Sequence, residues 1–217
     1  MIVSSFLMQA TMTTLGALPV LFSRVAKALM VSLQRIAVIV AMYRTLRTSA
    51  PMVDGLVFAV SSRGMQGRLQ DNHPCSVAPG KRPRLTPSQA LALKDGGLYM
   101  AWGTPGGDVQ TQSMLQVFLN VTTFGLQMQQ AIEAPRVGSF NFPNSFSPHG
   151  YLPGRLCVEN RFPQATVEAL EAMGYDIEMW QEKSWSMGAV CAIKRDAETG
   201  MLHAGADPRQ ETYAMAW

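Results

Sequence analysis

An apolar segment of strand length lies on each side of the polar sequence Lys94–Gly97. The two segments, Ala90–Leu93 and Leu98–Trp102, have the length and composition of β-strands. The Asp-Gly and Gly-Gly pairs between them supply the positive φ angles that tight hairpin turns require. The pattern therefore predicts a β-hairpin over residues 90–102.

Helical spacing of apolar residues begins beyond residue 107 and predicts three helices. In the first helix, four large apolar side chains are expected to lie on one face; they are Met114, Leu115, Phe118 and Leu119. Gly125 is expected to end this helix. A second helix is predicted at Met128–Ala134, stopped by a proline. A third is predicted at Gln164–Met173, with Val167, Leu170 and Met173 on one face.

Further strands and one long loop complete the predicted elements. The strands are expected at Leu56–Ser61, Ile177–Trp180, Gly188–Ile193 and Met201–Ala206. Residues 71–87 contain four prolines and are predicted to form a loop. We therefore expect residues 54–217 to form two β-layers with at least two helices, the long one starting just after Gly107.

The first 53 residues differ from the rest of the chain in charge. They carry five arginine and lysine residues and no acidic residue, whereas residues 54–217 carry 13 basic and 15 acidic residues. No positive charge precedes the first apolar run, and basic residues interrupt every window long enough to span a membrane. Two interpretations stay open: an apolar segment packed on the rest, or an interfacial or targeting segment that allows membrane association. The chain is thus divided into 1–53 and 54–217.

Composition excludes several classes of protein. Apolar residues make up 47% of the chain, enough for a sizeable core, and charged residues make up only 15%, below the usual quarter, which excludes a disordered or highly charged protein. A net charge of +3 is too small to indicate a nucleic-acid partner. Three cysteines and three histidines are too scattered for a disulfide framework or a metal site, so we expect no metal and no cofactor. Without a convincing signal peptide, a cytoplasmic location is favoured over a periplasmic one.

The Thr-Pro-Gly-Gly sequence at 104–107 is the main candidate for chemistry. It lies between a predicted strand and a predicted helix, and two consecutive glycines expose backbone N–H groups without side-chain obstruction. Such donors at a helix N-terminus can bind an anion or the oxyanion of a tetrahedral intermediate. From spacing alone, a tight turn with a good helix start is the favoured interpretation, and the anion site stays open as the alternative.

Other polar clusters are weaker candidates. The basic loop at 80–84 is compatible with carboxylate binding or with a solvated surface. Asp207 and Arg209 are expected to form a structural ion pair, and His203 is expected to be a strand residue rather than a base. The sequence contains no nucleophile elbow and no zinc-protease motif.

Five short sequences together resemble the small subunit of the γ-glutamyltransferases. Their order and spacing match over roughly residues 51–217, and five motifs in order are far more specific than any one of them. The sequences are Ala78–Pro83, Gly103–Gly107, the segment from Leu115 to Arg136, Gly188–Val190 and Gly205–Arg209.

The resemblance implies an α+β fold of the N-terminal-nucleophile hydrolase type, with two β-sheets sandwiched by helices, of which this chain contains the small-subunit part. It implies a precursor that cuts itself before a threonine, whose hydroxyl then attacks a γ-glutamyl amide while its own amine acts as the base. Gly106 and Gly107 match the paired glycines that bind the oxyanion. The implied partners are a small-molecule γ-glutamyl-type substrate and a separate large subunit.

The positions that match the family's nucleophile and substrate contacts show departures. Thr13 lies at the expected distance upstream, but the sequence after it does not follow the family pattern. The acidic residue that binds the substrate's amino group is replaced by Gln66, and Arg63 is a candidate carboxylate contact. Arg84 stands where a serine is expected. These changes resemble a γ-glutamyltransferase-like branch rather than the glutathione-cleaving members.

The resemblance also leaves two alternatives for the chain as a whole. The first is an active amidohydrolase or acyltransferase with Thr13 as nucleophile, for which cleavage between Met12 and Thr13 is required. The second is a catalytically silent fragment, or a subunit that requires a large subunit. A shifted reading frame over residues 1–53 would explain both the kept spacing from Thr13 and the loss of the family pattern after it.

Overall fold

In the computed structural model, the described residues are 2–4, 55, 63–82, 84 and 87–215. They fall into two compact units. The larger contains the described residues of 2–4, 88–144 and 149–215, and the smaller contains those between 55 and 87 together with 145–148. The division of the chain into 1–53 and 54–217 remains a prediction.

The described residues of the larger unit form eight strands and three α-helices. The strands are β1 (Ile2–Ser4), β2 (Gln89–Lys94), β3 (Gly97–Gly103), β4 (Val137–Ser139), β5 (Arg155–Glu159), β6 (Asp176–Trp180), β7 (Cys191–Arg195) and β8 (Leu202–Ala206). The helices are α1 (Gln110–Thr122), α2 (Met128–Glu133) and α3 (Gln164–Ala172).

Five of the strands form an antiparallel sheet in the order β1-β2-β3-β7-β8. The β2–β3 hairpin turns at Asp95 and Gly96, whose φ angles are 51° and 77°. Two consecutive positive φ angles are typical of a type I′ turn, which matches the twist of the strands that it joins. The hairpin predicted from the sequence is therefore confirmed.

Helices α1 and α2 pack on this sheet and enclose the main core with it. Trp102 of β3 stacks on Phe118 of α1, with ring centroids 5.1 Å apart. Small and medium apolar residues fill the remaining core; among them are Ala90, Met100, Met114, Val117, Val121, Met128, Ala131, Ile132, Val190 and Ala192. The core thus fixes the start of α1 against the end of β3, where the candidate turn lies.

The second sheet has three strands in the order β4-β5-β6, and α3 packs against β6. β4 runs antiparallel to β5, and β5 runs parallel to β6. In the described sheet, β4 is an edge strand, and two glutamines of α1 cover that edge. Gln112 exchanges hydrogen bonds with the backbone of Ser139 (2.8 and 3.0 Å), and Gln116 does the same with Val137 (3.0 and 2.8 Å).

A third glutamine pairs with the end of the edge strand β8. The Gln129 side chain of α2 donates to the Ala206 carbonyl at 2.9 Å and accepts from the Ala206 N–H at 3.1 Å. Each carboxamide supplies one donor and one acceptor, as a neighbouring strand would do. Glutamines on the helices therefore pair with strand edges that would otherwise be open.

The smaller unit contains a short 3-10 helix, Arg63–Gln66, and an isolated bridge between Arg68 and Ser76. The Ser147 N–H donates to the Met65 carbonyl at 2.8 Å, which ties the segment 145–148 to the 3-10 helix. The long loop predicted over residues 71–87 is confirmed where it is described. The predicted strand Leu56–Ser61 lies outside the described residues.

The three helices and the strands near 177–180 and 201–206 agree with the sequence predictions, but not every residue of the predicted apolar faces is buried. Leu115 is 51% exposed and Met173 is 73% exposed, whereas Met114 and Val167 are buried. The buried residues of α1 are Ser113, Met114, Val117 and Val121. Apolar spacing identifies the helix, whereas burial depends on which side meets the sheet and the β4 edge.

The strand predicted at Gly188–Ile193 begins three residues later, at Cys191, because Gly188 belongs to a loop that contacts the candidate turn. Sequence patterns did not indicate the short strands β4 and β5. None of the helices in the described ranges has the length and apolar character needed to cross a membrane.

Candidate active site

The candidate turn connects β3 to a 3-10 helix, Gly107–Val109, which continues directly into α1. Gly106 has a φ angle of 142° and Gly107 one of 62°. Residues with a side chain rarely adopt a φ angle in this range. A Cβ atom on Gly106 would also lie 3.2 Å from the Gly188 Cα atom. Both conformation and space therefore favour glycine at position 106.

The turn presents two backbone donors. Among the hydrogen bonds of the described residues, none uses the N–H of Gly106 or of Gly107 as a donor. Both residues are half-buried and stand at the start of the helical segment, where the helix dipole favours negative charge. Two adjacent unpaired N–H groups in this position are suited to bind the oxygen of a developing oxyanion.

A loop at 187–190 supports the turn from the neighbouring strand β7. The Thr104 hydroxyl donates to the Pro105 carbonyl at 2.6 Å and accepts from the Ala189 N–H at 2.7 Å. The Met187 carbonyl accepts from the Ser113 hydroxyl at 2.7 Å and from the Arg136 guanidinium at 3.1 Å. This loop is therefore held on both sides of Gly188.

Behind the loop, two arginines and two carboxylates form a buried ionic network. Arg136 pairs with Asp207 at 2.7 Å, and Arg209 pairs with Asp207 at 3.1 Å and with Glu159 at 2.6 Å. All four side chains are at most 1% exposed. The formal charges cancel within the group, which is the condition under which buried charges are tolerated.

Arg209 is the centre of this network, because each of its five guanidinium N–H groups has an acceptor. Its Nε donates to Glu159, Nη1 donates to Asp207 and to the Ile132 carbonyl, and Nη2 donates to Glu159 and to the Ala134 carbonyl. The arginine therefore connects the end of α2 to β5 and to the segment after β8. The ion pair expected between Asp207 and Arg209 is confirmed as a structural one.

The network shifts the pKa values of its members in directions set by burial and pairing. Burial lowers the pKa of Arg136 to about 10, although the charge of Asp207 opposes that shift. For Glu159, burial alone would raise the pKa, but hydrogen bonds and charge from Arg209 outweigh it and hold the pKa below 4.5. Arg136 and Glu159 thus stay charged near neutral pH.

The structure places the sequence-predicted site residues in separate groups. Gly106 and Gly107 form the turn, whereas Arg63 and Gln66 are the ends of the 3-10 helix of the smaller unit. Gln66 is 2% exposed, and neither its Oε1 nor its Nε2 atom has a hydrogen-bond partner. Arg84 is exposed. Thr13 lies outside the described residues.

Sequence reasoning missed the residues that support the turn. Thr104 was noticed only as part of the turn sequence, Gly188 was assigned to a strand, and Ser113 lay between the apolar positions of α1. The available sequence indication for Gly188 was its position directly before an apolar segment of strand length. The contact between Thr104 and Ala189, which are 85 residues apart, leaves no local pattern.

The two buried cysteines, Cys157 and Cys191, have thiols whose pKa values are raised. Burial raises the pKa of the Cys157 thiol to about 12, and the nearby Glu178 carboxylate acts in the same direction. Burial also raises the pKa of Cys191. Within the described part of the chain, no group of three or more histidine, cysteine or acidic side chains is arranged to hold a metal ion.

The fold is that of the N-terminal-nucleophile hydrolases, in the partial form that one portion of such an enzyme provides. The sequence model of the gamma-glutamyltranspeptidase family matches residues 54–217. The chain belongs to this family.

Two curated relatives of similar identity illustrate the range of the family. The chain is 32% identical over 157 residues to the glutathione hydrolase-like YwrD proenzyme of Bacillus subtilis. It is 32% identical over 158 residues to the oxamate amidohydrolase proenzyme of Klebsiella pneumoniae. Each match covers 72% of this chain and 28% of the relative. The chain thus spans little more than a quarter of the length of these relatives.

Two solved structures are similar in fold to this chain. The gamma-glutamyltranspeptidase of Pseudomonas nitroreducens in complex with L-DON matches with a TM-score of 0.63 and 25% identity, over 77% of this chain and 86% of that one. The cephalosporin acylase of Bacillus halodurans also matches with a TM-score of 0.63, at 30% identity over 74% of this chain and 28% of that one.

Proposed function

We propose that the chain is the small-subunit part of a γ-glutamyltransferase-like amidohydrolase or acyltransferase. The observation that carries this proposal is the pair of unpaired N–H groups at Gly106 and Gly107, held at the start of α1. These donors are suited to bind the oxyanion that forms when a nucleophile adds to an amide carbonyl. The family resemblance assigns the same role to this glycine pair.

The proposed nucleophile is Thr13, freed as an N-terminal residue. Its Oγ atom attacks the acyl carbon while its α-amine takes the hydroxyl proton. The carbonyl oxygen becomes the oxyanion bound at Gly106 and Gly107, and the leaving amine departs with the proton from the α-amine. Water or an acceptor amine then attacks the acyl-enzyme and releases the threonine.

Gln66 supports a binding role for the 3-10 helix at 63–66. A buried carboxamide with both polar atoms unpaired costs folding free energy of about 1–3 kcal/mol. A ligand that offers one donor and one acceptor would remove that cost. Because Gln66 is neutral, we propose that it binds an uncharged polar group of a small-molecule ligand, with Arg63 and Arg84 as candidate contacts for a carboxylate. An amide such as oxamate, the substrate named for one relative, offers both kinds of group.

We further propose that a large subunit completes the site. The chain covers 28% of the length of the curated relatives named above. A catalytically silent fragment is the alternative, and one observation favours it: the family match begins at residue 54, so that Thr13 lies outside the matched residues.

Intact-mass spectrometry and hydrolysis of a γ-glutamyl anilide test the proposal. We expect the isolated full chain to stay uncut and inactive, and the chain co-expressed with its large subunit to lose residues 1–12 and turn over the anilide. Thr13→Ala should abolish both the cleavage and the turnover, and the matched control Thr14→Ala should retain both. Turnover that survives Thr13→Ala would exclude this nucleophile, and an uncut, inactive pair would favour the silent fragment.

A further inference from the structure

We propose that Thr104 is a positioning residue that locks the orientation of the Pro105–Gly106 peptide, and with it the Gly106 N–H. The inference deepens the proposed function, on which it rests for its catalytic consequence. It starts from the Thr104 hydroxyl, which is engaged twice within a buried environment.

The planarity of the peptide bond connects Thr104 to the oxyanion site. The Pro105 carbonyl and the Gly106 N–H belong to one peptide plane and, in a trans peptide, point in opposite directions. The Thr104 hydroxyl holds the Pro105 oxygen at 2.6 Å. Because one end of the plane is held, the direction of the N–H at the other end is fixed as well.

The Pro105–Gly106 peptide plane needs this support because residue 106 is a glycine. Gly106 has no Cβ atom, so rotation of the Pro105–Gly106 plane meets little steric resistance from the residue itself. A rotated plane would turn the carbonyl oxygen toward the position now served by the Gly106 N–H. An oxygen there would repel an oxyanion instead of binding it. The hydrogen bond from Thr104 opposes this rotation.

The loop at 187–190 orients the Thr104 hydroxyl and thereby helps to hold the Pro105–Gly106 peptide. The Ala189 N–H donates to Thr104 at 2.7 Å, so the hydroxyl proton is directed to the Pro105 carbonyl. Gly188, with φ of 82°, leaves room for that carbonyl: a Cβ atom there would lie 2.8 Å from the Pro105 oxygen and 2.6 Å from the Thr104 hydroxyl. Hydrogen bonds from Ser113 and Arg136 to Met187, and from Val190 to Asp207, hold the loop in this place.

Thr104→Val removes the hydroxyl at nearly constant volume, whereas Thr104→Ser retains it. Thr122 provides a matched control, because this residue is exposed and its hydroxyl donates to the Phe118 carbonyl of its own helix at 2.8 Å. The experiment compares these two variants and Thr122→Val with the unaltered full chain. Thermal melting first establishes that each variant is folded.

The first measurement reports on the Pro105–Gly106 peptide group itself and needs no turnover. Labelling with carbonyl-¹³C proline and ¹⁵N glycine gives NMR correlations only for Pro-Gly pairs, of which the sequence has three, at 79–80, 105–106 and 153–154. We expect Thr104→Val to move the 105–106 correlation and leave the other two in place. Thr104→Ser should restore it, and Thr122→Val should move none. An unmoved 105–106 correlation in a folded Thr104→Val protein would overturn the lock.

The second measurement is steady-state hydrolysis by the form of the protein that turns over. Since removal of one oxyanion donor costs about 100- to 1000-fold in kcat, we expect misorientation of one donor to lower kcat by about 10- to 100-fold with little change in KM. Thr104→Ser should regain most of the kcat. An unchanged kcat per titrated active site would refute the catalytic role. If the unaltered protein shows no turnover, the proposed function fails, and the NMR result alone decides the lock.

Discussion

Arg209 shows how much of this fold depends on the geometry of single side chains. Its guanidinium group binds two carboxylates and two backbone carbonyls that come from α2, from β5 and from the segment after β8. A lysine carries the same charge but has three donors on one nitrogen, so it cannot reach this set of acceptors together. Charge alone would therefore not preserve the network behind the 187–190 loop.

We expect Arg209→Lys to lower the free energy of unfolding by about 1–3 kcal/mol, because a lysine leaves several buried acceptors of Arg209 without a donor, although Asp207 keeps Arg136 and Glu159 keeps Arg161 as ion-pair partners. Arg155→Lys is the control: Arg155 pairs with Asp176 and Glu178 near the surface, where such a change costs about 0–1 kcal/mol. Urea denaturation of the two variants measures the difference. Equal losses would mean that the buried network does not stabilise the fold.

At the scale of elements, helix α1 connects the core, the β4 edge and the candidate turn. One face carries Met114 and Val117 into the core, and another carries Gln112 and Gln116 to β4. With these two faces occupied, Leu115 and Leu119 remain 51% and 38% exposed. The sheet edge thus decides the rotation of the helix about its axis.

This rotation is tested by two adjacent alanine substitutions. Met114→Ala should cost about 2–5 kcal/mol, as is usual for removal of a large buried side chain. Leu115→Ala should change the unfolding free energy by no more than about 0.5 kcal/mol, since the residue is exposed. Chemical denaturation of both variants measures the two values. A larger loss for Leu115→Ala than for Met114→Ala would show that Leu115, rather than Met114, faces the core.

Elements with local sequence cues could be predicted, and elements defined by distant partners could not. The β2–β3 hairpin was predictable because Asp95 and Gly96 determine its turn, and the helices because their spacing is periodic. β4 has only three residues, and its partners are β5 and two glutamine side chains. The same distinction holds in the site: adjacent Gly106 and Gly107 were found from the sequence, whereas the contact of Thr104 with Ala189 was not.

For the molecule as a whole, the paired carboxylates set the response to acid. The pKa of Glu159 is below 4.5 in the folded chain, because its bonds to Arg209 outweigh the effect of burial. A carboxyl group with a lowered pKa stabilises the fold fully above its ordinary pKa. That stabilisation is lost as the pH falls through the lower, folded-state pKa.

We therefore expect the urea midpoint to decrease as the pH is lowered from about 4.5, the ordinary pKa of a glutamate. Glu159→Gln should be less stable at pH 7 and should lose less stability in acid, with the remaining slope due to other carboxylates such as Glu133 and Glu178. Urea titrations of both proteins at a series of pH values measure the two slopes. Parallel curves would show that Glu159 does not contribute to the acid response.

The glutamines that pair with the strand edges have a consequence for how this chain aggregates when it is heated. As long as α1 and α2 stay in place, the edge groups of Val137, Ser139 and Ala206 are occupied. Detachment of the helices would uncover these groups while the sheets are still intact, and an uncovered edge is a template for strands of other molecules. Heat-induced aggregation into intermolecular β-structure would then begin with loss of the helical layer rather than with global unfolding.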